Sequence, residues 1–149
     1  MIRLLWIDDN LDHDLTEKRM ALLMEDDIDS HFARNATEAY YRLLNDPFDI
    51  VIFDIRLPPG PDDMWNDDFE RGERKFGFIL LKTVAEQRRR GEFQHLQNTR
   101  FGVFTIEMRD ENPDLFLQPI ELPSQNFEMK TNAYGEDDFI NFIRKIHRA

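Results

Sequence analysis

Five residues of this chain carry side chains able to do chemistry, and they share one placement: Asp8 and Asp9, Asp54, Thr105 and Lys130 each close or directly follow a short apolar run. Three carboxylates gathered at a partly buried edge repel one another unless a cation joins them. Hard oxygen donors in small number suit magnesium better than zinc, and they leave coordination positions for water and a phosphoryl group. A carboxylate can also attack phosphorus and form an acyl phosphate. The obstacle to that attack is electrostatic, and a divalent ion with one lysine and one hydroxyl neutralises and orients the incoming charge. Each residue has a plainer reading. Asp54 could cap a turn, Asp8 could cap a helix, Thr105 could be an ordinary strand residue and Lys130 a solvated lysine. Taken together, a common position at strand ends favours a site.

The elements that must position these groups follow from periodicity. Ile50–Phe53 is an unbroken apolar run, largely β-branched, as in a parallel strand buried on both faces. Asp54 stands at its carboxyl end, where a carboxylate is costly to desolvate and where open α/β sheets place their ligand crevices. Residues 3–7 repeat the pattern before Asp8. Leu15, Leu22 and Leu23 predict a helix over about 12–24, and 28–32 reads as a strand. Asn35-Ala36-Thr37-Glu38 has capping-box form, and Ala36, Tyr40, Leu43 and Leu44 share one face of the helix after it. Pro58-Pro59-Gly60-Pro61 breaks the chain, and 62–74 is highly charged without a steady period, which predicts a long loop. Gly77 opens a helix to about Arg90 on which Phe78, Leu81 and Ala85 align. Residues 100–105 read as a strand, 112–118 as a short helix with Asn112 as cap and Pro113 first, and 125–129 as a final strand. Phe139, Phe142, Ile143 and Ile146 mark the last amphipathic helix. Strands alternating with helices imply right-handed crossovers and one mainly parallel sheet of about five strands, so all the strand ends above share one edge.

At 149 residues the chain is the size of one domain. Its formal net charge of −11 disfavours direct contact with nucleic acid or anionic lipid and suits a partner with a basic surface. The one basic run, Gln87-Arg88-Arg89-Arg90, falls at a helix end, where cations complement the dipole. There are no cysteines, and the apolar run at the amino terminus is too short for a signal peptide or a membrane span. Cytoplasmic residence, with no membrane association, is the expectation. His13, His31, His95 and His147 show no metal-ligand spacing.

Four pieces in order, Leu5-Trp6-Ile7-Asp8-Asp9, Val51-Ile52-Phe53-Asp54 with Leu57-Pro58, Val103-Phe104-Thr105, and Phe127-Glu128-Met129-Lys130, resemble the response-regulator receiver domain of two-component signalling. The resemblance covers nearly all of 1–149 as a single domain. It implies an α/β, flavodoxin-like three-layer sandwich: a five-stranded parallel sheet in the order 2-1-3-4-5 with helices on both faces. It further implies that Asp54 accepts a phosphoryl group from a histidine kinase or phosphotransfer protein, that Asp8 and Asp9 are the acidic pair, and that Asp9 is the more direct Mg2+ ligand. Arg56 would lend the metal its backbone carbonyl, Thr105 the hydroxyl that meets the phosphoryl group, and Lys130 the amine that pairs with it. Phe127 resembles the aromatic whose rotamer follows Thr105. The expected output is phosphorylation-dependent binding of a downstream protein by a stand-alone receiver, not turnover of a substrate.

The chain also departs from that pattern. Ile106 stands where the family has a small residue, and Lys130 is followed by Thr131 instead of proline. Residues 61–75 form an inserted acidic loop after the third strand, with Gly77 as the displaced family glycine, and the fourth helix is short or irregular. Arg56 and Glu107, each two residues past a site residue, are placed to pair across the mouth. Two alternatives stand beside this reading. One is a receiver-like interaction module that works without phosphate. The other is a haloacid-dehalogenase-like phosphatase, which needs a second aspartate where this chain has Arg56.

Overall fold

The apolar runs become strands where their residues are unbroken. In the computed structural model, which describes residues 1–131 and 133–149, β1 (Ile2–Ile7), β2 (Ile28–Ala33), β3 (Ile50–Phe53), β4 (Arg100–Thr105) and β5 (Phe127–Met129) make one parallel sheet. Its order is β2-β1-β3-β4-β5. The helices are α1 (Thr16–Leu23), α2 (Ala36–Asn45), a short α3 (Asn66–Glu70), α4 (Phe76–Arg89) and α5 (Glu136–Arg148).

Alternation along each strand divides the core in two. Leu5, Ile7, Val51, Phe53, Phe101 and Val103 pack with α2 and α4, whereas Leu4, Trp6, Ile50, Ile52 and Phe104 pack with α1 and α5. Helix α5 buries Phe139, Ile140, Phe142, Ile143 and Ile146 along one stripe, each worth roughly 1.5–3 kcal/mol when removed from water. Gly102 in β4 permits its approach, because a Cβ there would lie 2.8 Å from both Ile146 Cδ1 and Ile52 Cδ1. Among the described residues, no helix is long and apolar enough to cross a membrane.

Several expectations are corrected. Residues 9–15 turn instead of coiling, so α1 is shorter than 12–24, and Leu11 and Leu15 are buried from those turns. Leu23 and Leu44, counted on apolar faces, are exposed. Asn35 Oδ1 accepts from the Glu38 amide as expected, but the Glu38 carboxylate reaches the amide of Arg34 rather than that of Asn35. The predicted short helix is a 3-10 turn, Pro113–Phe116, because the Asn112 side chain donates back to the Met108 carbonyl instead of capping forward. Another 3-10 turn, Ser124–Asn126, takes the start of the expected last strand.

The largest correction concerns 61–75, which is not a free loop. It folds into a 3-10 turn, Asp63–Trp65, that runs into α3, and Trp65 is only 2% exposed. The Trp65 indole donates to Thr37 Oγ1 (3.1 Å), and its ring meets Tyr40 and Phe76 edge-on. The same Thr37 hydroxyl donates to the Pro59 carbonyl (2.8 Å) and accepts from the Asp62 amide (3.1 Å). Phe69 stacks on Phe76, with the Arg74 guanidinium 4.5 Å from the Phe69 ring centroid. One aromatic side chain has entered the core, and a charged segment has followed it.

Candidate functional site at the carboxyl edge of the sheet

Strand register assembles the site. Ile7 pairs with Phe53, so Asp8 and Asp54 leave adjacent strands side by side, and their amides extend the ladder to the carbonyls of Ala33 (2.9 Å) and Ile7 (3.0 Å). Thr105 pairs with Met129, and the Lys130 amide donates to the Thr105 carbonyl (2.7 Å). These backbone bonds fix where each side chain departs.

The Lys130 ammonium lies between two acids, 2.6 Å from Asp8 Oδ2 and 3.2 Å from Asp54 Oδ2. Asp8, Asp54 and Thr105 are buried, whereas Asp9 is exposed at the rim. Burial first, and the charge of Asp54 second, push the Asp8 carboxyl up to about 6 in spite of Lys130. The same two causes raise Asp9. For Lys130, burial acts to lower the pKa, but the charges of Asp54 and Asp8 outweigh it and the net shift is upward. Three carboxylates against one ammonium leave a net charge of −2 when all are ionised.

A bound cation would offset that excess. One oxygen each from Asp8, Asp9 and Asp54 lies within 4.8 Å of the others, and Asp54 Oδ1 is buried without a protein partner. An all-oxygen, acidic set of this size fits a hard divalent ion such as Mg2+. The Arg56 side chain points elsewhere, to Glu107 Oε1 at 3.4 Å, so only its backbone is left for such a role.

The expected Arg56–Glu107 pair is present, and it has a third member absent from the sequence reading. Lys75, at the end of the insertion, lies 2.8 Å from Glu107 Oε1 and 3.3 Å from Asn112 Oδ1. Glu107 is thereby buried at the mouth with its carboxyl held low, chiefly by the Lys75 hydrogen bond. Two residues on, Gly77 packs against the site strand: a Cβ there would fall 1.6 Å from the Asp54 carbonyl oxygen, and its amide donates to Ile55 O (3.0 Å). Only glycine allows that approach.

Thr105 Oγ1 accepts from the Glu107 amide (3.3 Å). Phe127 is buried against Phe116, with Arg109 over both rings. Ile106 does not plug the site; it is 64% exposed and borders an opening shared with Lys18, Lys130 and Tyr134. Among the described residues the one cis peptide is Gln118–Pro119.

Solved structures share this fold over nearly their whole length. A CheY-like receiver domain protein from Methanospirillum hungatei superposes with a TM-score of 0.67 at 19% identity, covering 97% of this chain and 92% of that one. The chain has the response-regulator receiver fold. The non-phosphorylated HemR receiver domain of Leptospira biflexa gives 0.65 at 18% identity, covering 100% and 96%. The chemotaxis protein CheY4 of Vibrio cholerae gives 0.64 at 16% identity, covering 98% of both chains. Neither family models nor curated proteins contain a match to the sequence. The likeness to these solved structures therefore lies in the fold, at identities of 16–19%.

Proposed function

We propose that Asp54 is a phosphoacceptor and that the domain signals through proteins that distinguish its phosphorylated form. The observation that carries this reading is the position of Lys130, which bonds Asp8 and Asp54 together while leaving Asp54 Oδ1 without a partner. In the reaction, an Asp54 oxygen attacks the phosphorus of a phosphohistidine on a kinase or phosphotransfer protein. The P–N bond breaks, and its electron pair stays on the imidazole nitrogen. Asp9 and Asp54, with Asp8 and the Arg56 carbonyl in support, would hold a Mg2+ ion, which would supply charge neutralisation for the phosphoryl oxygens. Lys130 keeps its proton through the step, because its raised pKa holds it cationic at neutral pH, and it orients one phosphoryl oxygen.

The output path begins at Thr105. To meet a phosphoryl oxygen, its hydroxyl, which accepts from the Glu107 amide, must turn its own O–H toward the site. Phe127 and the 109–116 turns pack beside it, so repacking there changes the surface offered to a partner. Arg56, Glu107 and Lys75 bridge the mouth and restrict water's approach to the acyl phosphate. If Arg56→Ala and Glu107→Ala both left the dephosphorylation rate unchanged, this last role would be lost.

Incubation with acetyl phosphate, with and without Mg2+, tests the central claim by intact mass. The expected result is a single phosphoryl adduct that requires both Mg2+ and Asp54 and is absent from Asp54→Asn. An adduct-free wild type would replace this reading with a binding module that needs no phosphate.

A further inference from the structure

The basic run at the end of α4 does more than complement a helix dipole. Arg88 turns away from the helix end, donates to the carbonyls of Leu96 (3.0 Å) and Thr99 (2.9 Å), and lays its guanidinium 4.2 Å from the centroid of Phe101. Arg100, at the start of β4, donates to the last carbonyls of α5 at Ile146 and His147. With Arg89 they border one cavity of about 610 Å³, at the end of β4 remote from Thr105.

That volume lies within the range of small-molecule sites. Its apolar lining includes Phe101, Ile120 and Leu122, all buried. Glu121 and Ala149 also border it, yet among the described residues no carboxylate forms an ion pair with any of the three arginines. Arg88 is partly buried, where a guanidinium is ordinarily paired, and the exposed Arg89 and Arg100 stand beside it, so in a chain of net charge −11 three cations without acidic partners border one hollow. Burial alone lowers the Arg88 pKa, and no carboxylate offsets it. Asn126 lines the same cavity at 4% exposure; its Nδ2 donates to the Phe101 carbonyl (3.0 Å), while Oδ1 has no protein partner.

The hollow exists because 106–126 is not one packed helix. Residues 117–122 are drawn into a tight bend by the bonds Glu121 N to Leu117 O (2.8 Å) and Leu122 N to Leu115 O (2.9 Å). Glu121 sits at φ 48°, a left-handed conformation that a non-glycine residue adopts at some strain and that recurs at ligand sites.

We propose that this cavity binds a small organic anion, its carboxylate or phosphate taken by Arg88, Arg89 and Arg100 and its flat apolar body lying against Phe101, Ile120 and Leu122. The site is independent of the chemistry at Asp54. It has the two parts such a ligand needs: guanidiniums with unused N–H groups in a planar fork, and an aromatic and aliphatic wall beside them.

Titration of 2-naphthoate, 2-naphthyl phosphate and the neutral 2-naphthamide into the 149-residue protein, followed by amide shifts in 15N HSQC spectra, tests this. Saturable shifts centred on Phe101, Ile120 and Leu122 are expected for at least one anion, and the stronger of the two identifies the preferred head group. Losing one charge-assisted bond weakens binding by about tenfold, so the amide should bind at least that much more weakly. Arg88 holds two carbonyls, so the variants are Arg89→Glu, which should weaken the anions several-fold, roughly the value of one such contact, and Ile120→Trp, which should remove binding by filling the space. Both should keep the dispersed wild-type spectrum. Equal binding of acid and amide, shifts elsewhere, or none with either anion would overturn the proposal.

Discussion

The insertion at 61–75 and the segment at 106–126 both depart from the expected pattern of helices and loops, and they are built in opposite ways. The insertion is mostly charged, yet Trp65 enters the core and one hydroxyl, Thr37 Oγ1, ties it to α2. The other segment is richer in apolar residues and prolines, yet it arches over a cavity, held by arginine-to-carbonyl bonds such as Arg109 to Ser124 O (2.6 Å). Composition alone ranks them the wrong way round for packing. What decides is whether a large side chain has somewhere to go.

Trp65→Ala should produce the largest effect. Loss of a buried tryptophan costs about 3–5 kcal/mol, read by urea unfolding, and should bring fast hydrogen exchange to 61–75. Retained protection there would break the contrast. Gly77→Ala comes next, at about 1–3 kcal/mol, because the new methyl meets the Asp54 backbone and overpacking is relieved only by shifting α4. Its effect on phosphorylation should exceed that of Trp65→Ala at equal stability loss, since it moves the site strand itself. Leu122→Ala should cost only about 2 kcal/mol, the low end for a buried leucine, because the side chain already borders a hollow. A cost as large as that of Trp65→Ala would show that the second segment is packed as tightly as the first.

Smaller effects separate the ionic ties. A Lys75→Met, Glu107→Gln double-mutant cycle should give a coupling of about 1 kcal/mol or less that shrinks with added salt, because Lys75 is about one-third exposed. The pH dependence has a definite sign. The folded-state pKa of Glu107 is depressed, so its contribution is present above the ordinary carboxylate range and is lost as pH falls through the lower folded value. Glu107→Gln should flatten stability over that acid window by lowering neutral stability, by about 1 kcal/mol or less, while leaving stability at the acid end nearly unchanged.

Much of this was legible in the sequence for one reason. Ile50–Phe53 and Phe101–Phe104 are unbroken apolar runs, and a polar residue ending such a run has a definite address once the sheet is parallel. That logic also brought Asp8, Asp54 and Lys130 to one point across 122 residues. Trp65 escaped it because a single aromatic among aspartates has no period to detect. Lys75 escaped because a salt bridge between two loops depends on where both loops stop, which no local pattern encodes. Arg88 was read as a helix-end cation because sequence places it there, but its side chain is long enough to leave its own helix for Leu96 and Thr99.

Thr37 Oγ1 uses its single donor and both acceptor positions at once, on Pro59, Asp62 and Trp65. Everything past that anchor, notably the open stretch around Gly72, where an added Cβ would touch nothing within 4 Å, is mechanically downstream of the knot. A fluorophore or an affinity tag inserted after Gly72, which stays glycine because its φ of 87° disfavours a side chain, would therefore ride on a fixed mount without disturbing the interior of the domain.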